Sequence, residues 1–276
     1  MMHHRHRISI LGVAIDALTL GEAIDAFRLF IARKEPSVVL AVNVDVCMKI
    51  RQDIELREIF RKADLVLVDG TPMMWAARFL GRPLPERVSG SDFVPVFCDV
   101  AAKEGYRIFL LGAGPSVAER AKDWLERRNP GLKIVGTYAP PVGFEFDERE
   151  NTRIIDLIRR ARPDVLFAAF GAPKQEKWLA RHYRSLDVPV AMGVGSAFDY
   201  LAGRLKRAPR WMQTAGLEWT FRLGQEPRRL WRRYLLDDPP FVFLVLKERL
   251  SGPRRPGREL VAPEESVGPT EDTAAR

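Results

Sequence analysis

Six short apolar runs punctuate the chain, and the spacing between them leaves few ways to fold it. Val38–Val42, Leu65–Val68, Arg107–Leu111, Lys133–Thr137, Asp164–Ala169 and Val188–Val194 have strand composition. Between them, stretches at about 45–62, 71–80, 91–104, 116–128, 148–161 and 174–184 carry helical periodicity. Runs this continuous suit strands buried on both faces, and a helical crossover is what joins neighbours in a parallel sheet. The pattern predicts an α/β fold with a Rossmann-like, mostly parallel sheet and helices on both faces. Arg7–Leu11 and Val13–Ile15 read as two further short strands. Thr19-Leu20-Gly21-Glu22 has capping-box spacing ahead of the apolar set Ala23, Ile24, Phe27, Phe30 and Ile31, so the first helix is expected to start there.

The texture changes after residue 202. Residues 203–258 hold 14 Lys and Arg against 5 Asp and Glu, whereas 1–202 hold 29 against 26 and 259–276 hold 1 against 5. The net charge of +8 is therefore concentrated in one segment. Such a block implies an anionic partner: nucleic acid, anionic lipid or a phosphorylated substrate. Leu217–Leu223, Arg228–Leu236 and Phe241–Leu250 read as three short helices separated by Pro227, Pro239 and Pro240. The expected organisation is a disordered start at 1–6, the α/β core at 7–202, a small helical basic appendage at 203–252 and a disordered tail at 253–276. Cys47 and Cys98 are the only cysteines, too few for a disulfide framework, and they read as buried reduced thiols of a cytosolic chain. The basic N-terminus lacks the apolar core of a signal peptide, and no run approaches the ~20 apolar residues that span a bilayer.

Chemistry is expected where the strands end, because ligands of open α/β sheets bind outside the carboxyl ends of the strands. After Val165–Ala169 the chain turns through Phe170-Gly171-Ala172-Pro173 into Lys174-Gln175-Glu176-Lys177-Trp178. Here Lys174 and Glu176 read as first-turn surface charges, with Gln175 facing a ligand. After Leu65–Val68 comes Asp69-Gly70-Thr71-Pro72, in which Pro72 suits the first helical position and Thr71 the N-cap. Asp69 is then left without a capping duty and becomes the candidate general base. Gly112-Ala113-Gly114-Pro115-Ser116 opens a helix and could hold a phosphate through Gly112 and Gly114. Val117 departs from the dinucleotide fingerprint, which counts against a nicotinamide oxidoreductase. A further Gly-rich end, Gly193-Val194-Gly195-Ser196-Ala197-Phe198-Asp199, adds Gly195 and Asp199 to a nucleotide-sized cleft.

The sequence holds no Asp-x-Asp, Cys/His cluster, Walker lysine loop or Gly-x-Ser-x-Gly elbow, and outside the N-terminal tract its only histidine is His182. No metal site, bound cofactor or His-based triad is expected. A carboxylate base, with arginines and backbone N–H groups stabilising a leaving diphosphate, is what remains. The basic segment supplies Arg222, Arg229 and Arg232, which would share a face if one helix ran through Pro227. It interleaves its arginines with Trp211, Trp219, Phe221, Trp231, Tyr234, Phe241 and Phe243, a mixture suited to lying on an anionic bilayer surface. A nucleic-acid-binding protein using the same segment is the alternative from another class, but it leaves the sheet-edge loops unexplained.

Taken in order, Asn43-Val44-Asp45, Val68-Asp69-Gly70-Thr71-Pro72, Arg87-Val88-Ser89-Gly90, Phe170–Trp178, Gly193–Asp199, Gly216-Leu217-Glu218-Trp219, Arg222 and Pro227-Arg228-Arg229 resemble the WecG/TagA/CpsF glycosyltransferases, glycosyltransferase family 26. The similarity runs from about Ile8 to Leu250. The resemblance implies an inverting, metal-independent transfer from a UDP-sugar to a polyprenyl-diphosphate-linked saccharide in surface or exopolysaccharide synthesis. The sugar would be of the N-acetylmannosamine type, or glucose or glucuronic acid. The reaction would take place at the inner face of the cell membrane, with no nucleic acid as partner; a homo-oligomer is left open. Asp69 matches the family's proposed base, and Asn43, Arg87 and Gln175 match pocket residues. Arg222, Arg229 and Arg232 match arginines of an appendage that closes over the diphosphate. Some members carry Thr where this chain has Ala41.

Overall fold

The computed structural model describes residues 6–251, so the expected disordered start and tail fall outside the described residues apart from His6. The six apolar runs form β3 (Ser37–Val42), β4 (Leu65–Val68), β5 (Arg107–Gly112), β6 (Lys133–Tyr138), β7 (Val165–Ala169) and β8 (Val190–Gly193). They pair in the order β4-β3-β8-β7-β5-β6, every neighbouring pair parallel. The two N-terminal strands, β1 (Arg7–Ile10) and β2 (Val13–Asp16), make a separate antiparallel hairpin. Leu11 and Gly12 both take positive φ at its turn, as a two-residue hairpin loop requires. Buried Asp16 accepts the Val66 backbone N–H and the Arg7 Nε–H, each at 2.8 Å, so the hairpin covers the β4 edge of the sheet.

Alternate side chains of each strand point to opposite faces. Leu40, Val42, Val66, Val68, Leu166 and Ala168 pack on one side against α2 (Val44–Gln52), α3 (Ile54–Lys62), α7 (Glu148–Ala161) and α8 (Lys174–Leu186). Val39, Leu65, Leu67, Val165, Phe167 and Met192 pack on the other against α1 (Leu20–Arg33), α5 (Gly90–Glu104), α6 (Val117–Arg128) and α9 (Ala197–Leu201). The second face is built round Phe27, Phe93, Phe97 and Phe167, with ring centroids 4.6 to 6.5 Å apart. Cys47 belongs to the first cluster and Cys98 to the second, so the free thiols sit on opposite sides of the sheet; burial pushes Cys47 up to about 12.

The capping box at Thr19 forms as expected. The single helix expected at 45–62 is instead α2 and α3, because Asp53 leaves helical geometry and caps α3 through the Leu56 N–H. An aspartate competes with the helix for backbone hydrogen bonds, and here the competition is won at a junction. α9 had no counterpart among the expected elements. After it come α10 (Arg210–Thr214), α11 (Glu218–Gln225), α12 (Pro227–Arg232), a π-helical turn at Arg233–Asp237 and α13 (Pro240–Leu250). α13 is anchored to the body of the molecule: Phe241 and Val245 are buried in the first cluster, and Glu248 accepts the Leu11 N–H at 2.8 Å and Arg82 Nη1 at 2.9 Å.

At Gly90 the first turn of α5 lies on the segment leaving β8, and a Cβ there would sit 2.8 Å from the Val194 carbonyl oxygen. Gly90→Ala is expected to lower stability by about 1–3 kcal/mol through overpacking, despite alanine's better helix propensity. Urea unfolding followed by circular dichroism checks it; an unchanged midpoint would show that the contact relaxes without cost.

Candidate active site

The ends of β3, β4, β7 and β8 open into one cleft of about 680 Å³, roofed by α11, α12 and the π-helical turn. Asn43, Asp69, Gln175, Gly195, Arg222, Arg229 and Arg232 all line it. The chain runs from β3 outward to β4 and then crosses to β5, leaving β8 and β7 to fill the gap last. This strand reversal is the position at which doubly wound sheets hold ligands.

Asp69 stands at the cleft floor because its backbone N–H donates to the Val42 carbonyl at 2.8 Å, extending the β3–β4 ladder by one residue. Gly70, at φ 91°, is the N-cap of α4 (Thr71–Phe79). Thr71, expected as that cap, is the first helical residue, and its hydroxyl donates to the Gln213 carbonyl at 2.9 Å. No described residue hydrogen-bonds the Asp69 carboxylate. Burial pushes this carboxyl above its ordinary value; Arg87 opposes the shift, while Glu218 and Asp92 reinforce it. Asn43 caps α2 by accepting the Val46 N–H at 3.0 Å, which leaves its amide N–H₂ for the cleft.

Arg87 lies beside the cleft and ties the appendage to the core. It donates to Asp92 at 3.0 Å and Glu218 at 3.3 Å. Arg207 meets the same two carboxylates at 2.8 and 3.8 Å and donates to Gln213 Oε1 at 3.1 Å. Arg222 donates to Ser196 Oγ at 2.9 Å and Glu226 Oε2 at 3.4 Å, with its guanidinium over the Tyr200 ring. Arg229 reaches Glu226 as well. Glu226 is where the helix breaks before Pro227, so the arginines sit on two helices that converge on one carboxylate rather than on one continuous face. Arg232 is largely exposed, its nearest acid Asp237 at 4.0 Å.

Sequence reasoning passed over Arg233, although it follows Arg232 directly. Its guanidinium lies 3.5 Å from Asp238 and 3.7 Å from buried Asp45, which also holds Lys49 at 2.8 Å. Only the π-helical turn decides which of two adjacent arginines points inward, and that turn has no sequence signature. Arg207 and Glu218 were visible only as members of a basic run and a motif. The Nε atoms of Arg222 and Arg233 are buried without a hydrogen-bond partner among the described residues. Unsatisfied guanidinium donors at a cleft suit an incoming polyanion.

The structure does not bring Gly112, Gly114 or Asp199 to the cleft wall. β5 lies beyond β7, so its loop ends away from the β3–β8 junction. Gly112 serves packing there: at φ 106°, an added Cβ would meet the Ala169 carbonyl oxygen at 2.6 Å. Asp199 pairs with Arg204 at 2.8 Å. The Phe170–Trp178 loop also differs from expectation. Gln175 is buried, its Oε1 accepting the Gly195 N–H at 3.1 Å and its Nε2 donating to Glu176 Oε1 at 2.8 Å. Glu176, expected as a surface charge, is fully buried, and Lys174 pairs with Glu145 at 2.6 Å. The cause is helix phase: Glu176 and Trp178 turn inward while Lys177 turns out to Asp53 and Glu55.

Burial pushes the Glu176 carboxyl up to about 7, opposed by its hydrogen bond from Gln175 and by Lys49, with Asp45 adding to the rise. Its pKa is higher in the folded than in the unfolded chain. Its contribution is thus full in acid, declines from about pH 4.5 upward and is lost above about pH 7. Glu176→Gln mimics the protonated acid, so its stability relative to the parent chain is expected to rise across that window by a few kcal/mol at most. Thermal unfolding at pH 5 and pH 8 checks this, and a pH-independent difference would contradict it.

With the geometry in hand, comparison with known proteins is direct. The model of the WecG/TagA/CpsF glycosyl transferase family matches residues 8–255. An N-acetylglucosaminyldiphosphoundecaprenol N-acetyl-beta-D-mannosaminyltransferase of Bacillus spizizenii is 31% identical over 223 residues, covering 80% of this chain and 84% of its own. The protein of the same name from Bacillus subtilis is 32% identical over 219 residues, covering 79% and 82%. One from Staphylococcus aureus is 26% identical over 245 residues, covering 88% and 93%. A match across nearly the whole described chain, on a parallel sheet with its cleft at the strand ends, leaves one conclusion: the chain belongs to the WecG/TagA/CpsF glycosyltransferase family.

Proposed function

We propose that the chain is an inverting glycosyltransferase that moves N-acetylmannosamine from its UDP-sugar to an undecaprenyl-diphosphate-linked N-acetylglucosamine, the acceptor and product sugar being those in the names of its relatives. The observation that carries this reading is that one cleft pairs a partly buried carboxylate held above its ordinary value, Asp69, with two arginines, Arg222 and Arg233, whose buried Nε atoms lack a hydrogen-bond partner among the described residues. The Asp69 carboxylate accepts the proton of the attacking acceptor hydroxyl as that oxygen bonds to the anomeric carbon. The bond from the anomeric carbon to the diphosphate oxygen breaks, and UDP leaves with the electron pair. Arg222, Arg229 and Arg233 meet the charge that develops on the diphosphate. A carboxyl held above its ordinary value is the stronger base, provided the pH keeps it ionised.

The acceptor is a lipid, and the appendage offers a surface for its bilayer. Among the described residues no helix is long and apolar enough to cross a membrane. On α13, Val242, Phe243, Leu246 and Leu250 are exposed beside exposed Trp231, Leu235 and Leu236, with Arg232, Lys247 and Arg249 among them. An apolar face fringed by basic groups suits adsorption to an anionic leaflet, each basic residue contributing about 1 kcal/mol. The chain is therefore read as a peripheral protein of the inner membrane face.

Asp69→Asn is expected to reduce transfer about 10²–10⁴-fold while UDP affinity stays within about threefold, since only the proton acceptor is lost. Mass spectrometry of the lipid-linked product, with UDP titration calorimetry alongside, reads both; full turnover would remove Asp69 as the base. A panel of UDP-sugars in the same assay tests the donor, and preferred transfer of another sugar would overturn the N-acetylmannosamine assignment. Phe243→Glu with Leu246→Glu leaves the buried residues of α13 in place, and co-sedimentation with phosphatidylglycerol vesicles is expected to fall at least fivefold. Unchanged co-sedimentation would end the docking proposal.

A further inference from the structure

Glu176 has no part in the reaction outlined above, yet it is a fully buried carboxyl set into the lining of the cleft beside Gln175. We propose that Glu176 is a positioning residue that holds the Gln175 amide in one orientation and, through it, sets the Gly193–Ser196 turn and Arg222 against the donor diphosphate. The proposal rests on the UDP-sugar reading of the cleft and adds a residue to it.

An amide side chain has two orientations of equal shape, and its hydrogen-bond partners select between them. Gln175 must present its oxygen to the Gly195 N–H, which it meets at 3.1 Å. The flipped amide would set N–H₂ against N–H. Glu176 Oε1, accepting from Gln175 Nε2 at 2.8 Å, is the group that forbids the flip. Gly193 leaves the side chain its passage: a Cβ there would lie 3.0 Å from Gln175 Nε2 and 3.1 Å from Cδ. Beyond Gly195 the line continues, because Ser196 Oγ accepts from Arg222 Nη1 at 2.9 Å. One connected path thus runs from a buried acid in α8, through the turn after β8, to a cleft guanidinium of the appendage.

The cost of keeping this acid is visible. Glu176 Oε2 is buried with no hydrogen-bond partner among the described residues, and the charged groups that influence it, Lys49 and Asp45 on α2, are paired with each other at 2.8 Å. An apolar side chain of the same length would fill the space and remove the unpaired Oε2, at the cost of the acceptor that Gln175 Nε2 now has. Packing alone therefore gives no reason for a carboxyl here, whereas orientation of Gln175 does.

A double-mutant cycle on the full chain tests the proposal, read by UDP titration calorimetry with thermal unfolding alongside. Glu176→Met, with Glu176→Leu as a second apolar variant, removes the acceptor; Glu176→Gln keeps a carbonyl oxygen facing Gln175. The apolar variants are expected to weaken UDP binding about tenfold without a lower Tm, and Glu176→Gln to recover most of that loss. Gln175→Met should lose a similar factor, and Gln175→Met with Glu176→Met no more than either alone, the non-additivity of residues acting through one another. Parent-like affinity in the apolar variants, or losses that multiply in the double variant, would overturn the positioning role while leaving the donor reading intact. Absence of UDP binding by the parent chain would overturn the donor reading itself, and the proposal with it.

Discussion

The parallel ladder through β4, β3, β8 and β7 is the constraint on which the rest of the cleft depends. β3, β8 and β7 are each held on both sides and β4 pairs with β3 at the edge, so the carboxyl ends of all four emerge together in a fixed stagger. Three backbone hydrogen bonds carry that order past the strands. Asp69 N–H donates to Val42, Val88 N–H to Val68 and Val194 N–H to Ala168, at 2.8, 2.9 and 2.8 Å. Through them the candidate base, the Arg87–Gly90 segment and the Gly-rich turn inherit the rigidity of the sheet. A site built on strand ends in this way needs little further ordering when a ligand arrives.

The appendage is held by electrostatics on one side and by burial on the other. Asp92 and Glu218 each meet both Arg87 and Arg207, an alternating cluster that joins the core to α11. On the far side Phe241, Val245 and Glu248 seat α13 on the hairpin and its neighbours. Between these anchors, carboxylates of the appendage itself occupy the cleft arginines: Glu226 takes Arg222 and Arg229, and Asp238 takes Arg233. The concentrated positive charge of residues 203–258 is therefore not a plain solvated face, because part of it is folded inward and locally balanced. A diphosphate, with more charge and more acceptor oxygens than one carboxylate, is suited to displace these partners.

Much of this was legible in the residues. The alternation of apolar runs with helical periods specified the sheet and both of its helical layers, and Asp69 stood out because Gly70 and Pro72 left it no capping duty. What failed did so for local physical reasons. Thr71 and Gly70 differ by one residue in capping role, a distinction set by φ at Gly70 rather than by composition. Asp53 split a helix that periodicity ran together. Glu176 looked like a surface charge because charged residues seldom enter a core, and only the phase of α8 against β8 put it inside.

By itself the sequence determined the fold class, the strand ends on which chemistry could sit, and the position of the basic excess. These follow from patterns with periods of two and 3.6 residues, which local sterics and burial impose on any chain. Tertiary structure alone decided membership of the site. Strand order sent the Gly112–Ser116 loop away from the cleft, because β7 rather than β5 lies beside β8. The π-helical turn chose Arg233 as the inward arginine, and Gly193, the last residue of β8, allowed Gln175 to cross to Gly195. Which side chains meet depends on pairings between residues far apart in the chain, and no local pattern encodes those.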